Sequence, residues 1–131
     1  KKLAAVGAQQ LKDGQIVEAC DNLQMAIHHD DSSSRAHYFL SIALGQVPGK
    51  QKDALRHIEQ AARHESSNPS ILAEAARQFA EAGMQARAER FAQQALAIDP
   101  TNAKAQQVLA SGEEPGDKAS EKVMGLFRRK S

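Results

Sequence analysis

Through most of the chain, apolar residues recur three or four positions apart, and each such stretch stops at a short polar break. That spacing places one apolar stripe along a helix. It predicts helices over 2–12, 15–29, 34–45, 50–64, 69–82 and 85–98, and little else. The breaks "KDGQ", "DDSSS", "GQVPGK", "ESSNPS" and "AGMQ" each contain residues that end or begin helices. Glycine tolerates the left-handed backbone that closes a helix, and Pro69 suits a first helical turn. Connections this short force consecutive helices to lie antiparallel, so the pattern predicts three helical hairpins.

The hairpins repeat in sequence as well. Gly14, Ala19 and Ala26 are followed 35 residues later by Gly49, Ala54 and Ala61, and 34 residues later again by Gly83, Ala88 and Ala95. Small residues at fixed offsets are what closely packed helices require, and a period of this length marks a stacked helical array. Gly7, Ser41 and Ala76 occupy a second small-residue series on the preceding helices. The two series are expected to face each other within each hairpin, with larger Leu, Ile and Phe residues filling the seams.

The third copy, "PSILAEAARQFAEAGMQARAERFAQQALAIDPTN", carries Leu72, Ala75, Ala76, Phe79, Gly83, Ala88, Ala95 and Pro100 in the register of the tetratricopeptide repeat, which it resembles. The first copy presents Leu3, Val6, Gly7, Gly14, Ala19, Ala26 and Asp31 in that register, with Asp31 in place of the closing proline. The second presents His37, Leu40, Ser41, Leu44, Gly49, Ala54 and Ala61, and its extra residue falls in "GQVPGK". The resemblance implies an all-α fold: a right-handed α-solenoid of three antiparallel hairpins over about 1–33, 34–68 and 69–102. A capping helix is expected over about 103–110, with Leu109 and Ala110 in the packing register, so that the array spans residues 1–110. Residues 111–131 read as a polar linker followed by an apolar-basic tail, "EKVMGLFRRKS".

Composition narrows the classes of function. A chain of 131 residues fits one domain, and 17 Lys plus Arg against 16 Asp plus Glu give no global field to recruit nucleic acid. Cys20 is alone, which excludes an internal disulfide and suits a reducing, cytoplasmic setting. No apolar run is long enough to span a bilayer, and no signal-peptide pattern is visible. The sequence opens on Lys1, already in helix-forming residues, and reads as part of something longer.

Catalytic chemistry is not foreseen. There is no phosphate-binding glycine loop, H-E-x-x-H or G-x-S-x-G, and "GQVPGK" lacks the spacing of a Walker loop. His28 and His29 diverge on a helix, while His57 and His64 stand two turns apart, so no metal and no cofactor are expected. Asp53 and His57 share a helical face and read as an exposed pair. Cys20 reads as a buried, unreactive thiol. An enzyme is not expected.

What remains is surface. In arrays of the family that the chain resembles, the first helix of each hairpin lines a concave groove, and the corresponding positions include Lys1, Arg35, Tyr38, Ile42, Arg77 and Lys104. Four cations beside apolar Tyr38 and Ile42 suit a peptide or helix carrying acidic groups. Neither Arg35 nor Arg77 is expected to lie on a packing seam. The family's clamp for chaperone C-termini has no counterpart, since its places hold Ala4, Ala8, Phe39, Ser70 and Glu74. The resemblance implies a scaffold module for protein–protein interaction within a larger protein. Two alternatives stand beside it: a chaperone accessory module, since similar tails look like the ends of bacterial J-domain proteins, and a self-associating structural module. The uncovered edge at Leu3 and Val6, or the tail, would supply a weak homo-oligomer contact.

Overall fold

The structure is a computed structural model that describes residues 2–112; Lys1 and the tail at 113–131 lie outside the described residues. Seven helices follow in order: α1 (Lys2–Lys12), α2 (Ile16–His29), α3 (Ser34–Gly45), α4 (Gln51–His64), α5 (Pro69–Glu81), α6 (Gln85–Ile98) and α7 (Ala103–Gly112). No strand occurs among the described residues. The described residues divide into two compact units at residue 71, so α1 to α4 form the first and most of α5 with α6 and α7 the second.

The turns inside the hairpins rest on glycine. Gly14, Gly49 and Gly83 have φ of +81°, +82° and +81°, and no other described residue has a positive φ. At Gly14 and Gly83 the following N–H reaches back five residues, Gln15 N to Gln10 O at 2.8 Å and Met84 N to Phe79 O at 2.9 Å. That bond satisfies a carbonyl the helix end would leave open. The "GQVPGK" break spends its extra residue before the glycine. Gln46 and Val47 bond back to Ala43 and Leu44, and Lys50 N bonds to Val47 O before α4 begins.

The turns between hairpins use side-chain oxygens instead. Asp30 accepts the Ser32 N–H and hydroxyl at 3.1 and 2.7 Å, and Asp99 accepts the Thr101 N–H and hydroxyl at 3.2 and 2.7 Å. Ser33 Oγ then accepts Ala36 N, Asn68 Oδ1 accepts Ser70 N, and Asn102 Oδ1 accepts Ala105 N, capping α3, α5 and α7.

In the first unit, Ala19, Leu23, Leu40, Leu44 and Ala54 form a buried cluster, with Leu11, Cys20, Ile27 and Phe39 packed against it. Burying a leucine such as Leu23 or Leu40 completely contributes about 1.5–3 kcal/mol. Leu23 lies so close to α1 that a Cβ on Gly7 would sit 2.5 Å from its Cγ. The small-residue series is therefore a contact surface. In the second unit Phe79 is buried and stacks on Phe91 with ring centroids 5.5 Å apart, and Ala88, Ala92 and Ala95 of α6 are buried as well. The capping helix departs from expectation. Ala105 and Val108 are its buried residues, whereas Leu109 is only half-buried and Ala110 is exposed. In a full repeat those two positions would meet a second helix of their own hairpin, and none follows α7 among the described residues.

Candidate functional site

Each unit presents a cavity beside its first-of-hairpin helices, and the two differ in charge. In the first unit a cavity of about 270 Å³ lies between α1 and α3. Ala5, Ala8 and Leu11 of α1 and Phe39 of α3 give it apolar walls, while Gln9, Lys12 and Arg35 supply polar groups. The helical spacing of Ala5, Ala8 and Lys12 brings them to one side of α1, and the small alanines leave the space open. Arg35 follows the Ser33 cap on the first turn of α3, with its guanidinium 5.9 Å from the Phe39 ring centroid. Tyr38 packs edge-on against Phe39 at 5.1 Å and is half-buried, as is Ile42.

In the second unit a cavity of about 320 Å³ is bordered by Arg77, Glu81, Lys104 and Val108. Its cations are already engaged. Glu74, with only 3% of its side chain exposed, accepts from Arg77 through Nε at 3.1 Å and also through Nη2, from Gln78 Nε2 at 2.9 Å, and from Lys104 Nζ at 3.0 Å. Arg77 Nη1 also meets Glu81 at 2.8 Å. Burial works against the charged form of Glu74, but the bonds from Arg77, Gln78 and Lys104 outweigh it and hold the carboxyl below its usual range. The bonds that Arg77 donates to Glu74 in turn raise its own pKa, against the effect of burial. The four charges sum to zero. Arg77 was not expected to join a structural contact, yet it closes a pair with a buried carboxylate, because Glu74 sits one helical turn before it. Lys104 extends that pair to α7.

The histidines also sort differently from the sequence expectation. His57 makes its hydrogen bond with His37, while Asp53 pairs with Arg56 at 3.0 Å and Lys50 at 3.9 Å. His57 Nδ1 lies 2.9 Å from Nδ1 of buried His37, and His37 Nε2 lies 2.8 Å from the carbonyl of Asp31. A carbonyl only accepts, so His37 carries its proton on Nε2 and accepts from His57 Nδ1–H. Burial, then the neighbouring His37 and Arg56, push the pKa of His57 down to about 4. Burial also lowers that of His37, against the bond it donates to the Asp31 carbonyl. Among the described residues no three His, Cys, Asp or Glu side chains gather as a metal site. Burial raises the pKa of the half-buried Cys20 thiol, with the charge of Asp21 adding to the effect.

Of the groove residues expected from the repeat register, Lys1 lies outside the described residues, Arg35 borders the first cavity, and Arg77 and Lys104 border the second. Lys12 and Phe39 complete the first cavity and were not anticipated as binding residues. A cation in the last turn of α1, one position past Leu11, was the available signal for Lys12.

No protein-family model matches the sequence, and no curated protein matches it either. Solved structures do. The chain superposes on MamA with a TM-score of 0.82 at 18% identity, covering 93% of this chain and 71% of that one. The fold is the tetratricopeptide repeat. The second tetratricopeptide domain of human RPAP3, solved in complex with the HSP70 peptide SGPTIEEVD, matches with a TM-score of 0.78 at 18% identity over 86% of this chain and 92% of that domain. The Yersinia enterocolitica type III secretion chaperone SycD, in complex with a peptide of the translocator YopD, matches with a TM-score of 0.68 at 19% identity, covering 85% and 84%. What this tetratricopeptide array shares with them is the arrangement of its helices.

Proposed function

We propose that the chain is a non-enzymatic interaction module that holds a peptide or helix of a partner protein against the inner helices of its hairpins. The observation that carries this is the open cavity between α1 and α3, apolar on one side and cationic at its rim, on a fold whose relatives are solved with bound peptides. Arg35, Tyr38 and Ile42 are the contacts assigned to α3, and Lys1 the contact expected ahead of α1. Arg77 and Lys104 take part only as far as Glu74 and Glu81 leave them donors to offer. Within this reading the module belongs to a larger bacterial, cytoplasmic protein. Selection of a phage-displayed random twelve-residue peptide library on the immobilised chain tests it. A defined family of peptides that binds and is competed by free peptide is the expected result; failure to enrich any family would leave a fold without this function.

A chaperone role is the second reading. It is favoured by the likeness to SycD and to PcrH, which is solved in complex with the chaperone-binding region of PopD. Holding an unfolded client in solution under conditions where it otherwise precipitates would distinguish this role from simple docking.

A further inference from the structure

We infer that the cavity between α1 and α3 is a subsite for an acidic side chain flanked by an aliphatic one, within a segment of a partner that passes over the cavity. This deepens, and rests on, the peptide-binding reading. The charges carry it. Lys12 and Arg35 border the cavity, no acidic residue lines it, and neither cation forms an ion pair among the described residues. The carboxylates Asp13 and Glu65 bond to neutral groups and not to these cations: Asp13 accepts from Gln9 Nε2 at 3.1 Å, and Glu65 accepts from the Ser34 hydroxyl and from Asn68. The second unit shows the contrasting arrangement, in which Glu74 and Glu81 neutralise Arg77 and Lys104. Two cations without an ion-pair partner, on an apolar wall, attract an anion that brings apolar surface with it.

The cavity also restricts the form of the occupant. At about 270 Å³ it lies below the roughly 300–1,000 Å³ of pockets for drug-sized ligands, and so suits one or two side chains. Leu11 and Phe39 offer the aliphatic partner its contact, and the Arg35 guanidinium near the Phe39 ring reaches outward from that contact. Both cations are exposed, on flexible stems, and no buried donors converge on one point. A chain-terminal carboxylate would call for such convergence. The side-chain carboxylate of a continuous segment does not.

The same phage library tests this, because its peptides are joined to the coat protein at their C-terminus and present no free carboxylate of their own. The expected consensus places Asp or Glu beside Leu, Ile or Val. A fluorescein-labelled copy of the most enriched peptide should lose about tenfold or more in affinity for the K12E/R35E variant, and less for K12Q/R35Q, at unchanged helical signal. Raising salt from about 50 mM to 500 mM should weaken its binding to the wild-type chain far more than to either variant. The control pair K52E/R63E, which makes the same charge change on exposed α4 positions, should leave affinity within about twofold. An enriched family without acidic residues, equal binding by K12E/R35E, or equal loss in the control pair would overturn the subsite while peptide binding itself stood. No enrichment at all would overturn both.

Discussion

Acidification from pH 7 to pH 5 should destabilise the first unit through the His37–His57 pair. Burial holds both imidazoles neutral in the folded chain, and His57 takes up its proton only at about pH 4, against 6.5 for an ordinary histidine. Below pH 6.5 the unfolded chain therefore binds more protons than the folded one, so stability falls as pH drops and levels off near pH 4. For His57 alone, those two values correspond to about 2 kcal/mol at pH 5. The ring keeps some contact with water, and screening reduces the figure to about 1 kcal/mol. That equals about 4 °C in melting temperature for a chain of this size. Asp53 and the Asp31 side favour protonation, whereas Arg56 and the nearby His64 ring oppose it. A proton added to His57 enters on Nε2 and spares the bond to His37. A proton added to His37 must enter on Nδ1, facing the His57 N–H, and breaks it. Urea titrations at pH 7 and pH 5 on the wild-type chain and on His57→Gln read the effect, since glutamine can donate to His37 without titrating. Equal stability at both pH values, or an equal loss in the variant, would refute the reasoning.

Gly7→Ala should cost about 1–3 kcal/mol, since its Cβ would enter the space of Leu23, and G7A/L23A should recover part of that loss in chemical denaturation. Gly14→Ala, Gly49→Ala and Gly83→Ala should each cost about 1–2 kcal/mol by the same assay, nearly equally: their φ values agree within a degree and nothing lies within 4 Å of the new methyl, so only backbone strain counts. Glu74→Gln should cost about 1–2 kcal/mol, less than a fully buried broken pair, because Arg77 and Lys104 are 39% and 43% exposed and regain water. Amide exchange in α7 should accelerate more than in α6, which Lys104 does not tie to Glu74.

The helices were legible almost to the residue, because the signals that end them are local. Gly14 and Gly83 close helices by their own backbone freedom, and Asn68 and Asn102 begin the next ones by their own side chains. The small-residue series was legible for a related reason: the approach that leaves no room for a methyl at Gly7 excludes most residue types, and exclusion leaves a periodic trace. The histidine pair left none. His37 and His57 are 20 residues apart on different helices, and the direction in which each ring turns depends on how α3 meets α4.

The candidate site shows where register stops being informative. Ala5, Phe39 and Glu74 occupy the same place in the three copies, so the repeat assigns them one geometry. Their chemistry sets three outcomes. Ala5 leaves space, Phe39 turns that space into an apolar wall under Arg35, and Glu74 places a buried carboxylate where it must find cations. Desolvating a lone carboxylate costs several kcal/mol, so Arg77 and Lys104 are engaged by Glu74 and have fewer donors left for an incoming ligand. Glutamate three positions before arginine was visible in the sequence, but its burial was not, and burial is what converts a weak surface pair into a binding obligation. Counting cations along these helices therefore overstates what they offer a partner; the proposed subsite rests on Arg35 and Lys12 because no acidic side chain lines their cavity among the described residues.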